Sequence, residues 1–96
     1  MDRNDILITL RHYKELNSDK YLIRRIGIFG SVARGLSTAK SDVDVVVEIE
    51  RQDLFNLIGI KQDLEQTFNC SVDIVSYREK MNPFLKRRID NEAVYV

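Results

Sequence analysis

An α/β fold, a small mixed sheet of three or four strands with flanking helices, is predicted from three observations. Short runs rich in Val and Ile at Ile26 to Phe29, Val45 to Val47 and Ser71 to Ser76 have the length and residue types of buried strands. A helical pattern between the second and third run is long enough for the crossover that parallel strands need. Helical spacing also precedes the first run and follows the third. Ninety-six residues are expected to form one domain, 1–96, around a single core. The expected strand order is one-two-three, with helices packed on one side and around the ends of the sheet.

Asp2 or Asn4 can cap a first helix running to about Asn17. Ile6, Leu10 and Tyr13 recur at helical spacing with Leu7 beside them, while Arg11, Lys14 and Glu15 take the wet side. His12, the single histidine, falls among polar neighbours and reads as a solvated residue. Asn17 to Lys20 reads as a linker, and Tyr21 to Arg25 as the lead into strand one. That strand stops at Gly30-Ser31, a tight turn, with a helical turn over Ser31 to Arg34. Leu36 to Ser41 is expected to be a flexible crossing segment, and Asp42-Val43-Asp44 opens strand two.

Further on, Asp53 has the position of an N-cap. The helix it starts runs to about Thr67, with Leu54, Leu57, Ile58, Leu64 and Phe68 marking one face and Gly59 a mild interruption. Strand three carries Asp73 at its centre. Tyr77 to Met81 is a polar loop, and Asn82-Pro83 has the N-cap and first-position chemistry of a helix start. The helix Phe84 to Asn91 is expected to bury Phe84 or Leu85 with Ile89, and it carries the cluster Lys86, Arg87 and Arg88. Ala93 to Val96 has the makings of a short terminal strand.

Candidate chemistry concentrates between Ile26 and Glu48. Residues two apart on a strand point to one face, so Asp42 and Asp44 project side by side, roughly 6–7 Å apart along the backbone. Two carboxylates at the mouth of an apolar strand repel each other and resist desolvation. A divalent cation resolves both problems, and hard oxygen ligands suit Mg²⁺, which completes its shell with waters and substrate phosphates. Gly30 lets a phosphate approach the backbone, Ser31 offers a hydroxyl, and the amides of the following turn point outward as donors. Together these features describe a nucleotide triphosphate site. Arg34 can aim a guanidinium at phosphates or at the turn itself, or stand as a solvated charge. Asp73, mid-strand among Val and Ile, joins the same face if strand three lies beside strand two; otherwise it is an edge residue turned to water.

The balance of charges narrows the function. Fifteen basic and fifteen acidic residues leave a formal net of zero, which argues against a broad electrostatic grip on nucleic acid. Lys86, Arg87 and Arg88 read as a solvated face, or as a docking patch for an acidic partner or the triphosphate. One cysteine, Cys70, cannot form an intrachain disulfide and fits a reducing compartment. No apolar run approaches the ~20 residues that span a bilayer. The acidic start, Met1 to Asp5, is unlike a signal peptide, so no membrane role and a cytoplasmic location are expected.

The order strand, Gly-Ser, ten residues, Asp-x-Asp, strand resembles the minimal nucleotidyltransferase (MNT) branch of the DNA polymerase β-like nucleotidyltransferase superfamily. The pattern G-S-x-A-R-G…S-D-x-D stands here as Gly30, Ser31, Ala33, Arg34, Gly35, Ser41, Asp42 and Asp44. The resemblance covers essentially the whole chain. It implies that fold, and a site in which Asp42, Asp44 and Asp73 act as metal ligands and catalytic carboxylates while Gly30, Ser31 and Arg34 hold the nucleotide. It further implies Mg²⁺-dependent transfer of AMP from ATP to a hydroxyl of a protein partner, a tyrosine of a HEPN-type RNase toxin, with this chain as antitoxin. An AMP group adds bulk and negative charge where RNA phosphate binds. Outside the three-strand core the chain has only flanking helices, so the acceptor is expected to bring its own surface. Two alternatives stand beside this: neutralisation of the partner by masking alone, and transfer to a small molecule such as an aminoglycoside.

Overall fold

The computed structural model describes residues 2–35 and 42–96, so the expected crossing segment, with Lys40 and Ser41, lies outside the described residues. The elements are α1 (Arg3–Tyr21), β1 (Ile23–Phe29), α2 (Gly30–Ala33), β2 (Val43–Ile49), α3 (Leu54–Phe68), β3 (Val72–Ser76), α4 (Pro83–Glu92) and β4 (Val94–Tyr95). They build one four-stranded sheet in the order β3-β2-β1-β4. Strand β1 pairs antiparallel with β2 and β4, whereas β2 and β3 are parallel because α3 carries the chain back over the sheet.

Each long helix begins at a side-chain cap. Asp2 accepts from the Asp5 N–H at 2.9 Å, Asp53 from Phe55 and Asn56, and Asn82 from Phe84 and Leu85. These bonds satisfy donors that the first turn leaves without partners. None of the described helices is long and apolar enough to cross a membrane.

Alternation along β2 divides the core. Val43, Val45, Val47 and Ile49 face α1 and α3, meeting Ile6, Leu10, Ile60, Leu64 and Phe68 in the larger apolar cluster. Val46 turns the other way, onto Phe29 and Ile89, with Leu85, Tyr77 and Tyr95 around them. Helices α1 and α3 thus share one side, as expected, but α4 covers part of the opposite face rather than an end of the sheet, because Leu85 and Ile89 pack on Phe29 and Val46 there. Asp42 and Asp44 have the even parity of Val46, so the strand's own period assigns them to the face of α4.

Two local expectations need correction. Asn17 to Lys20 is not a linker, because α1 continues to Tyr21 and ends where Leu22 takes a left-handed conformation at φ 57°. Burial of Tyr21 outweighs the turn preference of the polar residues before it, which lie on the wetter side of the last turn. The buried stripe of α3 runs through Leu57, Ile60, Leu64 and Phe68, leaving Leu54 and Ile58 68% and 41% exposed. Of the two residues expected as partners of Ile89, Leu85 packs beside it and Phe84 faces outward.

One polar knot joins the two helices of the larger layer. The Asp63 carboxylate accepts from the Tyr13 hydroxyl at 2.8 Å and the Tyr21 hydroxyl at 3.3 Å. Burial, and next the bond to Asp63, push the Tyr13 phenol well above its ordinary pKa. Replacing Asp63 with Ala leaves two sheltered phenols short of a partner. The expected loss is about 1–3 kcal/mol in urea unfolding, and a cost under about 0.5 kcal/mol would show the knot to be unimportant.

Candidate active site

The site forms where three strands bring one row of residues together. In the sheet register Phe29, the last residue of β1, stands opposite Asp44, and Asp44 stands opposite Asp73. Residues in register on neighbouring strands share a face and lie about 4.8 Å apart in the pairing direction. Asp73 therefore points to the same side as Asp44, on strand β3 at the edge of the sheet. Asp44 is half-buried, while Asp42 and Asp73 are exposed.

Electrostatics reports the same convergence. Burial pushes the Asp44 carboxyl above the usual carboxylate range, the Asp73 charge adds to this, and Asp42 adds further. Arg88 and Arg34 act in the opposite direction, so both guanidiniums are also near Asp44. The charges of two acids and two cations thus all act on Asp44.

The turn after β1 is fitted against that spot. Gly30 has φ +72°, and a Cβ built on it would overlap the Asp44 Oδ2 atom, so only glycine leaves room for this carboxylate. The turn is closed by the Arg34 N–H donating to the Gly30 carbonyl at 3.1 Å and the Gly35 N–H to the Val32 carbonyl at 3.0 Å. Buried Val32 anchors it from below, and Arg3 Nε of α1 donates to the Ala33 carbonyl at 3.2 Å. Ser31 is half-exposed beside Gly30.

Glu92, at the end of α4, is the participant that sequence reasoning missed. Its Oε1 accepts from Arg34 Nη1 at 3.0 Å, and its Oε2 accepts from the Gly30 N–H at 3.3 Å and from Arg88 Nε at 3.4 Å. Burial opposes ionisation, yet the Arg34 hydrogen bond and charge hold the Glu92 carboxyl below its usual range. The Arg88 pair was legible as an (i, i+4) spacing. The contact with Gly30, 62 residues away, carries no local signal. Of the three clustered cations, Arg88 also lies over the Phe29 ring at 5.8 Å, whereas Lys86 pairs with Glu79 at 3.5 Å.

The donor set suits a hard cation: carboxylate oxygens alone, repelling one another at a half-buried position. Among the described residues no group of three or more His, Cys, Asp or Glu side chains is placed to hold a metal ion by itself. His12 is exposed on α1, and Cys70 packs against the larger core. A separate groove of about 540 Å³, lined by Leu54, Leu57, Ile74, Met81 and Leu85 among others, includes none of the three aspartates.

Residues 5–96 match the model of the nucleotidyltransferase domain family. The protein adenylyltransferase MntA of Thermococcus cleftensis is 33% identical over 90 residues, covering 93% of this chain and 89% of that one. A solved structure described as a provisional minimal nucleotidyltransferase has a TM-score of 0.73 at 34% identity, covering 98% of this chain and 95% of its own. A chain from the complex of tri-AMPylated Shewanella oneidensis HEPN toxin with MNT antitoxin has a TM-score of 0.68 at 18% identity. That match covers 94% of this chain and 70% of the other, and at such identity it is a likeness of fold.

Proposed function

Because this chain belongs to the nucleotidyltransferase domain family, we propose that it transfers AMP from ATP, with Mg²⁺, to a tyrosine hydroxyl of a HEPN-type toxin and so acts as its antitoxin. The single observation that carries this reading is the row in which Asp44 stands opposite Asp73 on parallel strands, with Gly30 against the Asp44 carboxylate. The adenylyltransferase name of the Thermococcus cleftensis relative and the HEPN–MNT complex supply the nucleotide and the class of partner.

Asp42, Asp44 and Asp73 are the residues that would hold Mg²⁺, which when bound neutralises triphosphate charge and lowers the pKa of an acceptor hydroxyl. The protein's own share is mainly positioning and charge compensation. Gly30 and Ser31 receive the β- and γ-phosphates, and Arg34 brings its guanidinium to them. Asp73, exposed on the edge strand, takes the hydroxyl proton as the acceptor oxygen bonds to the α-phosphorus. The bond from the α-phosphorus to the α–β bridging oxygen breaks, and pyrophosphate leaves with that electron pair.

The test incubates the protein with α-labelled ATP, Mg²⁺ and its HEPN partner. Label on a partner tyrosine is expected, with chelation of Mg²⁺ ending the reaction. Asp73→Asn is expected to slow transfer by about 10²–10⁴-fold, the size of a lost general base, with an unchanged far-UV spectrum. Partner inhibition that survives Asp42→Ala without any label would replace this reading with masking. Label appearing only on an aminoglycoside would replace it with small-molecule transfer.

A further inference from the structure

Glu92 sits where a carboxylate is ordinarily disfavoured, in the last turn of a helix, against the negative end of the α4 dipole. Its three donors offset that cost, and they come from three places: the glycine turn, the end of that turn and the preceding turn of α4. Each guanidinium gives Glu92 one nitrogen only, Nη1 of Arg34 and Nε of Arg88. A guanidinium has five N–H donors, and among the described residues neither fork makes a further hydrogen bond. Both side chains are also open to solvent, 41% and 47% exposed, and both lie close enough to Asp44 to act on its carboxyl.

We propose that Glu92 is the positioning residue of the phosphate side of the site, holding Arg34 and Arg88 by one nitrogen each so that their remaining donors meet the nucleotide triphosphate. This makes Arg88 a phosphate ligand alongside Arg34, and it rests on the nucleotidyl-transfer reading above. A long side chain left unheld spreads over many rotamers, and its ordering must then be supplied at binding. A carboxylate strut moves that cost into folding. Glu92 touches neither substrate nor acceptor and works through the two arginines.

The experiment measures ATP·Mg²⁺ and inorganic tripolyphosphate binding by calorimetry, with KM and kcat for transfer alongside, in the intact chain. Glu92→Gln keeps the shape and an acceptor oxygen but removes the charge that grips two cations. Its dissociation constants for both ligands and its KM for ATP are expected to rise about tenfold. The expected kcat stays within about twofold, and the melting temperature stays within about 2 °C. In an Arg34→Ala background the same substitution should add about half that effect or less, because one of its two clients is gone. Tighter triphosphate binding by Glu92→Gln would overturn the proposal and make Glu92 a competitor of phosphate. Unchanged binding would overturn it too, leaving a strut with no bearing on ligand. Absence of triphosphate binding by the unaltered protein would instead sink the transfer reading, and this inference with it.

Discussion

Replacing Asp44 with Asn is expected to abolish transfer while making the protein more stable. The two effects share a cause. Burial and then the charges of Asp73 and Asp42 push the Asp44 carboxyl above its ordinary range, so its ionised form at neutral pH is held against repulsion. A group whose folded pKa exceeds its unfolded value stabilises the protein fully below the unfolded pKa and loses that contribution as pH rises through the folded one. Asn removes the repulsion and keeps the shape. After discounting for solvent at this half-exposed site, the relief is under about 1 kcal/mol, or a rise of a few degrees in a domain of this size. The gap between variant and parent should narrow as pH falls through the carboxylate range, where the parent's own Asp44 takes up a proton. Added Mg²⁺ with ATP should raise the parent's melting temperature and leave the variant's nearly unmoved. A variant less stable than the parent at pH 7, or one that still transfers label, would contradict this account of the carboxylates.

Gly30→Ala is expected to damage both fold and reaction. The residue holds φ +72°, where an alanine costs about 1–2 kcal/mol. Its new Cβ would meet the Asp44 carboxylate, which must then move off the row it shares with Asp73. A displacement of about 1 Å costs about 10²-fold in rate when geometry is the main contribution. Gly35 is the control, since it has φ +73° but no described residue lies within 4 Å of a Cβ built there. Gly35→Ala should therefore share the conformational cost, seen in thermal unfolding, without a direct clash at the carboxylates. Equal rates for the two variants in the labelling assay would argue that Gly30 is only a turn residue.

Much of the architecture was legible because the forces behind it act over a few residues. Caps at Asp2, Asp53 and Asn82 satisfy donors two or three positions on, so their chemistry is written locally. The crossover length of α3 implied a parallel neighbour for β2, and the Val-Asp-Ile-Val run of β3 put an acid where that neighbour could meet Asp44. The misread places were those where distant burial overrode local preference. Asn17 to Lys20 has turn-like chemistry, yet Tyr21, packed in the core and bonded to Asp63, draws the helix through it.

The sequence by itself determined which carboxylates stand two apart on β2, where glycine and serine interrupt the chain, and where each long helix starts. Those properties follow from backbone periodicity and from hydrogen bonds that span one turn. Tertiary structure alone decided that Asp44 and Asp73 share a register, that α4 takes the face they occupy, and that Glu92 grips Arg34, Arg88 and the Gly30 amide. Such contacts form only when two apolar faces have chosen each other, since burial rewards any matching pair of surfaces and is indifferent to how far apart they lie along the chain.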